Sequence, residues 1–380
     1  MYAALDNLSD GDSDNELALC NIRPVYRLSP AELLCRPLDI LEVRETRPRG
    51  LLNQRNNCYL NAVLQSLFAF NGFRAVLQRL YLLLDYLDVD TTPVCLALHI
   101  LYQQWLGEEL TDTSMWRCPS IYPQSFEEIL IRFSKDIGSH EDAHEFFHYL
   151  VDTMHEELSK LQSAEHNTNG PQSSLTGFVA VPSRRKNRVV ISLNESPISR
   201  LFCGRIRCLI AKKNSQHCVP FFSLQLSLDA SRTQPIENLL SEFSRPTKLQ
   251  ARKEGKQIFT SQTSLIDVFP EILALHLKRF AFNGSVVQKV HQHVQFPETL
   301  TFPDVSLTKA LKNSGHTYIL RSVICHFGQS PARGHYTAYF RHPKYEWVCA
   351  DDSNVSRVKW SDVRDQQAYI LFYELNKKHR

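Results

Sequence analysis

The sequence predicts an α+β protein, and three observations carry that expectation. Between residues 58 and about 161, apolar side chains recur at spacings of three and four. After residue 200 they recur at every second position. The stretch 162–200 between them is rich in Ser, Asn, Pro and Arg and holds no period. A helical front half and a strand-rich back half, rather than a regular alternation, is the α+β pattern.

The elements follow in chain order. Residues 1–22 are polar and their only charges are acidic, from Asp6, Asp10, Asp12, Asp14 and Glu16, so they are expected to be a disordered tail. Proline and arginine punctuate 23–49, an extended lead-in, and regular structure is expected from Gly50. The clearest helix is SHEDAHEFFHYLVDTMHEELSKL. There Ala143, Phe146, Phe147, Leu150, Val151, Met154 and Leu158 make one apolar stripe. Ser139, three residues before Asp142, suggests a capping arrangement, and Asp142 and Glu145 would share the opposite face one turn apart. Residues 162–200 are expected to be an inserted loop with a short strand at RVVISL, and the run Arg184, Arg185, Lys186, Arg188 a solvated loop rather than a targeting signal. In PFFSLQLSLD, Phe222, Leu224, Leu226 and Leu228 alternate with Phe221, Ser223, Gln225 and Ser227, a half-buried strand. EILALHLKRFAF, HTYILRSVICHF, GHYTAYFR, EWVCADD and AYILFYEL also read as strands. There is no internal repeat.

The composition narrows the function class. With 380 residues, 43% apolar and 22% charged, the chain can bury a large core. A net charge of +3 gives no ground for a nucleic-acid or membrane partner. No window approaches the roughly 18 uncharged apolar residues of a membrane span, and the first residues lack the features of a secretory signal. The chain is therefore expected to be intracellular: cytoplasmic, with a nuclear location left open. None of the ten cysteines forms a Cys-x-x-Cys pair, so neither disulfides nor a metal is expected.

Chemistry enters at Cys58, in NQRNNCYLNAVLQSLFAF. Asparagines precede it and an apolar helical pattern follows, which puts the thiol at a helix N-terminus. The positive end of the helix dipole there favours the thiolate, the reactive form. An inert buried thiol is the ordinary reading of the other nine cysteines. Asn53 lies in the same turn, where a side-chain amide could donate to the oxyanion of acyl transfer or serve as a plain turn former. His335, in ARGHYTAYFR, follows Gly334, which gives the backbone freedom. A neutral imidazole beside a thiol takes its proton and later protonates the leaving amine. Asp351 comes sixteen residues later, in EWVCADDSN. A hairpin through HPKYE would return it to His335 to fix the tautomer, although a DD pair alone is usually turn chemistry. Together these residues give a Cys–His–Asp order.

With these residues in view, the chain resembles the ubiquitin-specific proteases, papain-like cysteine isopeptidases. RGLLNQRNNCYLNAVLQSL is similar to the family's cysteine box and EDAHEFFHYLVDTMHEEL to its Asp-Ala-x-Glu-Phe helix. HTYILRSVICHFGQSPARGHYTAYFR, WVCADDSNVSRV and AYILFYEL resemble its histidine box, and ILALHLKRF the strand usually found between them. The resemblance covers about 50–375, and details such as PRGLLN and LFCGRIRCLI lean toward the branch represented by ubiquitin carboxyl-terminal hydrolase ten.

The resemblance implies a catalytic domain over 50–376: a helical thumb at 50–161, the polar insert at 162–200, and β fingers and palm at 201–376. It implies cleavage of the bond after the C-terminal glycine of ubiquitin. Cys58 would be the nucleophile, His335 the base, Asp351 the orienter and Asn53 the oxyanion amide, with Asp352 helping there. Asp142 and Glu145 would hold the ubiquitin tail, with Tyr336 and Asn61 lining the same channel. The implied partners are ubiquitin and ubiquitinated proteins, with the chain a monomer and no cofactor. Two departures stand out. Arg55, Asn56 and Asn57 replace the usual Gly-Asn-Thr, so Arg55 would strain a backbone that suits glycine. KKNS at 212–215, and the lack of cysteine between 219 and 324, would leave the fingers without zinc. A dead or weak ubiquitin-binding scaffold, and an isopeptidase for another modifier, stay open as alternatives.

Overall fold

The structure is a computed structural model that describes residues 29–36, 48–106, 118–134, 138–163, 178–182, 188–211, 215–229, 231–253, 256–283, 286–312, 314–330 and 333–377. The acidic tail, the run Arg184–Lys186 and residues 212–214 lie outside the described residues.

The front half is helical. Cys58–Leu67, Asn71–Tyr81, Pro93–Leu106 and the 21-residue helix Ala143–Ser163 are its main elements. The last buries Phe146, Phe147, Leu150, Val151, Met154 and Leu158, the stripe read from the sequence. Its start differs from the expectation. Ser139 hydrogen-bonds Glu141 instead of capping, and Asp142 itself takes the capping position. Asp142 Oδ1 accepts from the backbone N–H of His144 at 2.7 Å and of Glu145 at 3.1 Å. An aspartate accepting first-turn amides satisfies donors that a helix leaves unpaired. The same physics joins two helices: Glu157, buried, accepts from Val94 N–H at 3.0 Å and Cys95 N–H at 2.8 Å. Its carboxylate thus sits on the positive end of the helix Pro93–Leu106.

Among the described residues, the back half holds two large sheets and two two-stranded ones. One has, in spatial order, Asn354–Val358, Glu346–Asp351, Arg333–His342, Thr317–Ser330, Ala368–Leu375, Ile272–Lys278 and Ser223–Ser227, with Thr299–Thr301 added beside Thr317–Ser330. Its middle strands are apolar on both faces. In Ala368–Leu375, Ile370 and Phe372 pack with the helices, while Leu371 and Tyr373 enter a second core behind the sheet. Successive side chains of a strand point to opposite faces, so burial on both sides produces a continuous apolar run. Just past Ile272–Lys278, fully buried Arg279 donates to the backbone oxygens of Ala368, Val290 and Gln292 at 2.6, 3.0 and 2.9 Å, which ties this strand to its neighbours.

The second sheet runs Phe178–Pro182, Arg188–Leu193, Ser215–Phe221, Gly204–Ile210, Lys256–Val268, Thr247–Lys253. The stretch read as a loop with one strand therefore contributes two strands, paired antiparallel from Phe178↔Leu193 to Pro182↔Val189. FVAVP was missed because its apolar run is short and bounded by masking polar sequence. The architecture is the expected α+β one.

Candidate active site

Cys58 is the first residue of the helix Cys58–Leu67, whose opening amides have no intrahelical acceptor. Asn57 stands at the cap position, yet its side chain makes no cap bond. The turn is held instead by its neighbours. Asn53 Oδ1 accepts from Asn57 N–H at 3.0 Å, and Asn56 Nδ2 donates to the Gly138 carbonyl at 2.8 Å. The left-handed residue of the turn is Asn56, with φ +55°. The expectation that Arg55 strains the loop is therefore corrected. Arg55 is exposed and has no left-handed backbone, and asparagine is among the side chains that tolerate that region.

His335 lies on Arg333–His342, which pairs with Glu346–Asp351 in register Ala338↔Ala350 through His342↔Glu346. The hairpin returns Asp351 to the imidazole, and His335 Nε2–H donates to Asp351 Oδ1 at 2.5 Å. That leaves Nδ1 for the hydrogen bond between His335 and the Cys58 thiol. Burial alone would push the thiol up. Hydrogen bonds from His140, from His335 and from the Tyr336 backbone outweigh it and bring Cys58 down to about 7. His335 is carried up to about 9, first by its bond with Cys58, then, against burial, by the bond with Asp351. Each charged form favours the other, so the pair is poised as thiolate and imidazolium.

Asp352 joins the turn, the helix and the hairpin. Its Oδ2 accepts from Asn53 Nδ2 at 2.9 Å and its Oδ1 from Asn61 Nδ2 at 2.8 Å. Its carbonyl accepts from Leu51 N–H at 2.9 Å and Gln65 Nε2 at 3.3 Å. Among the described residues, the ligand atoms of His335, Asp351 and Asp352 lie within 4.8 Å of one another, close enough for a metal. Their engagement with one another and with Asn53 and Asn61 accounts for that closeness without one.

A sequence model of the family described as ubiquitin carboxyl-terminal hydrolase matches residues 49–373. The chain belongs to the ubiquitin carboxyl-terminal hydrolase family. Relatives include ubiquitin carboxyl-terminal hydrolase 24 of Arabidopsis thaliana, 28% identical over 87% of this chain and 65% of its own length. Ubiquitin carboxyl-terminal hydrolase 2 of Bos taurus is 30% identical over 86% of this chain and 55% of its own. Ubiquitin carboxyl-terminal hydrolase 10 of Rattus norvegicus is 26% identical over 86% of this chain and 48% of its own. The chain thus spans about half to two thirds of these relatives. Among solved structures, a SAGA DUB module bound to monoubiquitin shares the fold: TM-score 0.66, 20% identity, 97% of this chain and 76% of that one.

Within this ubiquitin carboxyl-terminal hydrolase fold, Cys58, Asn53, His335, Asp351 and Asp352 come together, and five other residues read from the sequence stand as follows. Asn61 is 1% exposed and spends its amide on Asp352 and, at 3.2 Å, on the Leu51 carbonyl. It anchors the strand before the turn and does not line a channel. Tyr336 is likewise 1% exposed, its ring packed against His326 and His140 at centroid distances of 4.6 and 5.3 Å, so it lies under the site and does not line its surface. Asp142 caps its helix and accepts from the Tyr369 hydroxyl. Glu145 is exposed, and burial, followed by the Asp142 and Glu141 charges, raises its carboxyl. Gly334 is not left-handed; a Cβ there would sit 2.1 Å from His326 Nε2, so the site needs its lack of volume.

The sequence reading missed His140 and His326. His140 Nδ1 lies 3.9 Å from Cys58 Sγ. His326 faces Tyr336 across the Thr317–Ser330 pairing with Arg333–His342. The available signal for His326 was that pairing, which puts it opposite Tyr336, one residue from His335. For His140 it was a position two residues ahead of Asp142.

Proposed function

We propose that this chain is a thiol-dependent deubiquitinase, hydrolysing the peptide or isopeptide bond after the C-terminal glycine of ubiquitin. The observation that carries the reading is the line Cys58–His335–Asp351, with the thiol brought down to about 7, inside a chain of this family. The solved SAGA module described as bound to monoubiquitin supports ubiquitin as the substrate here.

The Cys58 thiolate attacks the glycine carbonyl carbon, and the carbonyl electron pair moves onto oxygen. Asn53 Nδ2 has one hydrogen engaged by Asp352 and a second for that oxyanion, joined by an opening amide of the Cys58 helix. As the C–N bond breaks, His335 gives its Nδ1 proton to the leaving amine. Water then attacks the thioester, His335 takes its proton, and the carboxylate leaves with Cys58 restored. Asp351 holds the imidazole in the tautomer both steps require. Asp142 and Glu145 supply negative charge for the arginines of the ubiquitin tail.

The test is a ubiquitin probe with a C-terminal electrophile, together with a ubiquitin C-terminal fluorogenic substrate. Covalent labelling at Cys58, and turnover lost in Cys58→Ser with ubiquitin binding retained, are the expected results. Labelling only by a probe built on another modifier, or near-normal turnover by Cys58→Ser, would overturn the reading.

A further inference from the structure

Behind the nucleophile, on the side away from Asp351, a chain of nitrogen atoms has no part in the scheme above. It begins at Lys289, which is 5% exposed. Its ammonium has three acceptors in range: the His326 carbonyl at 2.7 Å, the Gly328 carbonyl at 2.8 Å and His326 Nδ1 at 3.2 Å. An ammonium has three donors and no acceptor, so all three hydrogens are used and Nδ1 of His326 must accept. A neutral His326 then carries its hydrogen on Nε2. That atom lies 3.5 Å from His140 Nε2, which must accept in turn. The hydrogen of His140 is left on Nδ1, the atom 3.9 Å from Cys58 Sγ.

The surroundings fit this direction. Burial, followed by the charge of Lys289, holds His326 down at about 3, so it stays neutral. Lys289 is itself lowered, by burial and then by the Arg279 charge, to about 8, and stays an ammonium at neutral pH. Gly334 leaves the volume that the His326 ring occupies, and Tyr336 packs on both imidazoles. The other titratable and charged groups facing the site are Tyr59 on the Cys58 helix, Tyr336, His335, Asp351 and Asp352 from the hairpin, Glu141, Asp142 and Glu145 near His140, and Arg279 beside Lys289.

We infer that His140 is a second imidazole on the nucleophile, donating to the Cys58 sulfur, and that Lys289 and His326 hold it in the tautomer that donates. No proton is transferred along this line; each hydrogen bond fixes the orientation of the next. The thiolate is thereby held from two sides, by His335, which gives up its proton during turnover, and by His140, which keeps its own. His140 touches the reacting atom, whereas His326 and Lys289 act through it as positioning residues. This deepens the reading of Cys58 as nucleophile and rests on it.

The experiment reads the thiol directly and needs no ubiquitin. The pH dependence of iodoacetamide modification at Cys58, followed by peptide mass, is measured for the parent, His140→Ala, His140→Asn, His326→Phe and the double variant His140→Ala with His326→Phe. Without His140, the thiolate at pH 6.5 should fall by about three- to tenfold, the worth of one long hydrogen bond to an anion. Asparagine puts an amide nitrogen where Nδ1 stands and should recover most of the loss. His326→Phe alone should give a smaller fall, and no further fall on top of His140→Ala, because its effect passes through that ring. On the fluorogenic substrate the loss should be in kcat with KM nearly unchanged. An unchanged thiol in His140→Ala would overturn the inference. So would a higher kcat in that variant, the mark of a ring that obstructs the site, or an undiminished His326→Phe effect in its absence. If Cys58 modification responds as expected but ubiquitin substrates are not cleaved, the substrate reading fails and the relay stands.

Discussion

Removing His335 should raise the Cys58 thiol and slow its modification far more at low pH than at high. The magnitude follows from the geometry. An unperturbed thiol at 9.0 is about 1% ionised at pH 7, and one at about 7 is half ionised, roughly fiftyfold more thiolate. His335 and His140 share that gain with the Tyr336 backbone amide, while burial opposes it. Removing His335 takes away one hydrogen bond to the sulfur, and its positive charge when protonated, worth about one unit or tenfold at pH 6.5. The thiol and imidazole titrate as a pair, so the two midpoints, about 7 and about 9 in the parent, belong to both. Iodoacetamide modification between pH 5.5 and 9.5, resolved by peptide mass, separates Cys58 from the exposed Cys35. Cys203 and Cys349, which burial raises to about 11, should stay inert throughout. If Cys58 in the parent follows an ordinary thiol curve near 8.5, or if His335→Ala leaves the curve in place, the ion pair is not as described.

Arg55→Gly should leave kcat within about twofold of the parent. Asn56→Ala should cost about 1–3 kcal/mol of left-handed backbone strain, seen as a slower kcat or a lower thermal midpoint, with Asn56→Gly tolerated; a faster Arg55→Gly enzyme would contradict the backbone assignment. Asp142→Ala should both raise KM for ubiquitin substrates and cost about 1 kcal/mol by uncapping its helix, whereas Asp142→Asn keeps an acceptor and should isolate the effect on KM; a parental KM in Asp142→Asn would remove its role with the tail. Burial and then the His276 charge hold His144 at about 2, and burial and then Lys278 hold His276 at about 3. Unfolded histidines near 6.5 bind protons first, so stability present above pH 6.5 should fall toward pH 3 by at most about 1.4 kcal/mol per unit for each ring; an unchanged urea midpoint between pH 7 and pH 5 would refute this.

What was legible in the sequence was what periodicity and local chemistry encode. The stripe from Ala143 to Leu158 and the two-residue alternation at Phe222–Leu228 are one-dimensional signals, and they gave the α+β class. Cys58 at a helix start and the His335–Asp351 hairpin were legible because each is a short-range arrangement. What escaped was tertiary. Asn61 looks like any polar residue on a helix until Asp352, 291 positions away, takes its amide. His140 and His326 are 186 positions apart, and neither local sequence says that one touches the other or the nucleophile. Arg55 was misread for a different reason: the departure from a familiar pattern was visible, but the residue with positive φ was its neighbour.

The adjacent pair Asp351 and Asp352 shows how one backbone angle turns turn chemistry into site chemistry. Consecutive side chains of an extended strand face opposite ways, so a continued strand would send one carboxylate to His335 and the other across the sheet. The strand instead ends at Asp351, and Asp352 has φ +50°, a left-handed conformation that aspartate tolerates better than most residues. Both carboxylates then reach the same side: Asp351 Oδ1 lies 2.5 Å from His335 Nε2 and Asp352 Oδ2 4.0 Å from it. The nearer one orients the imidazole. The farther one is occupied by Asn53 and Asn61, so it fixes the amide in front of the nucleophile and the helix behind it. The turn former and the orienter, offered as competing readings of a DD pair, are therefore one device. The turn at Asp352 thus sets the carboxylate that holds the Asn53 amide beside the one that holds the His335 imidazole.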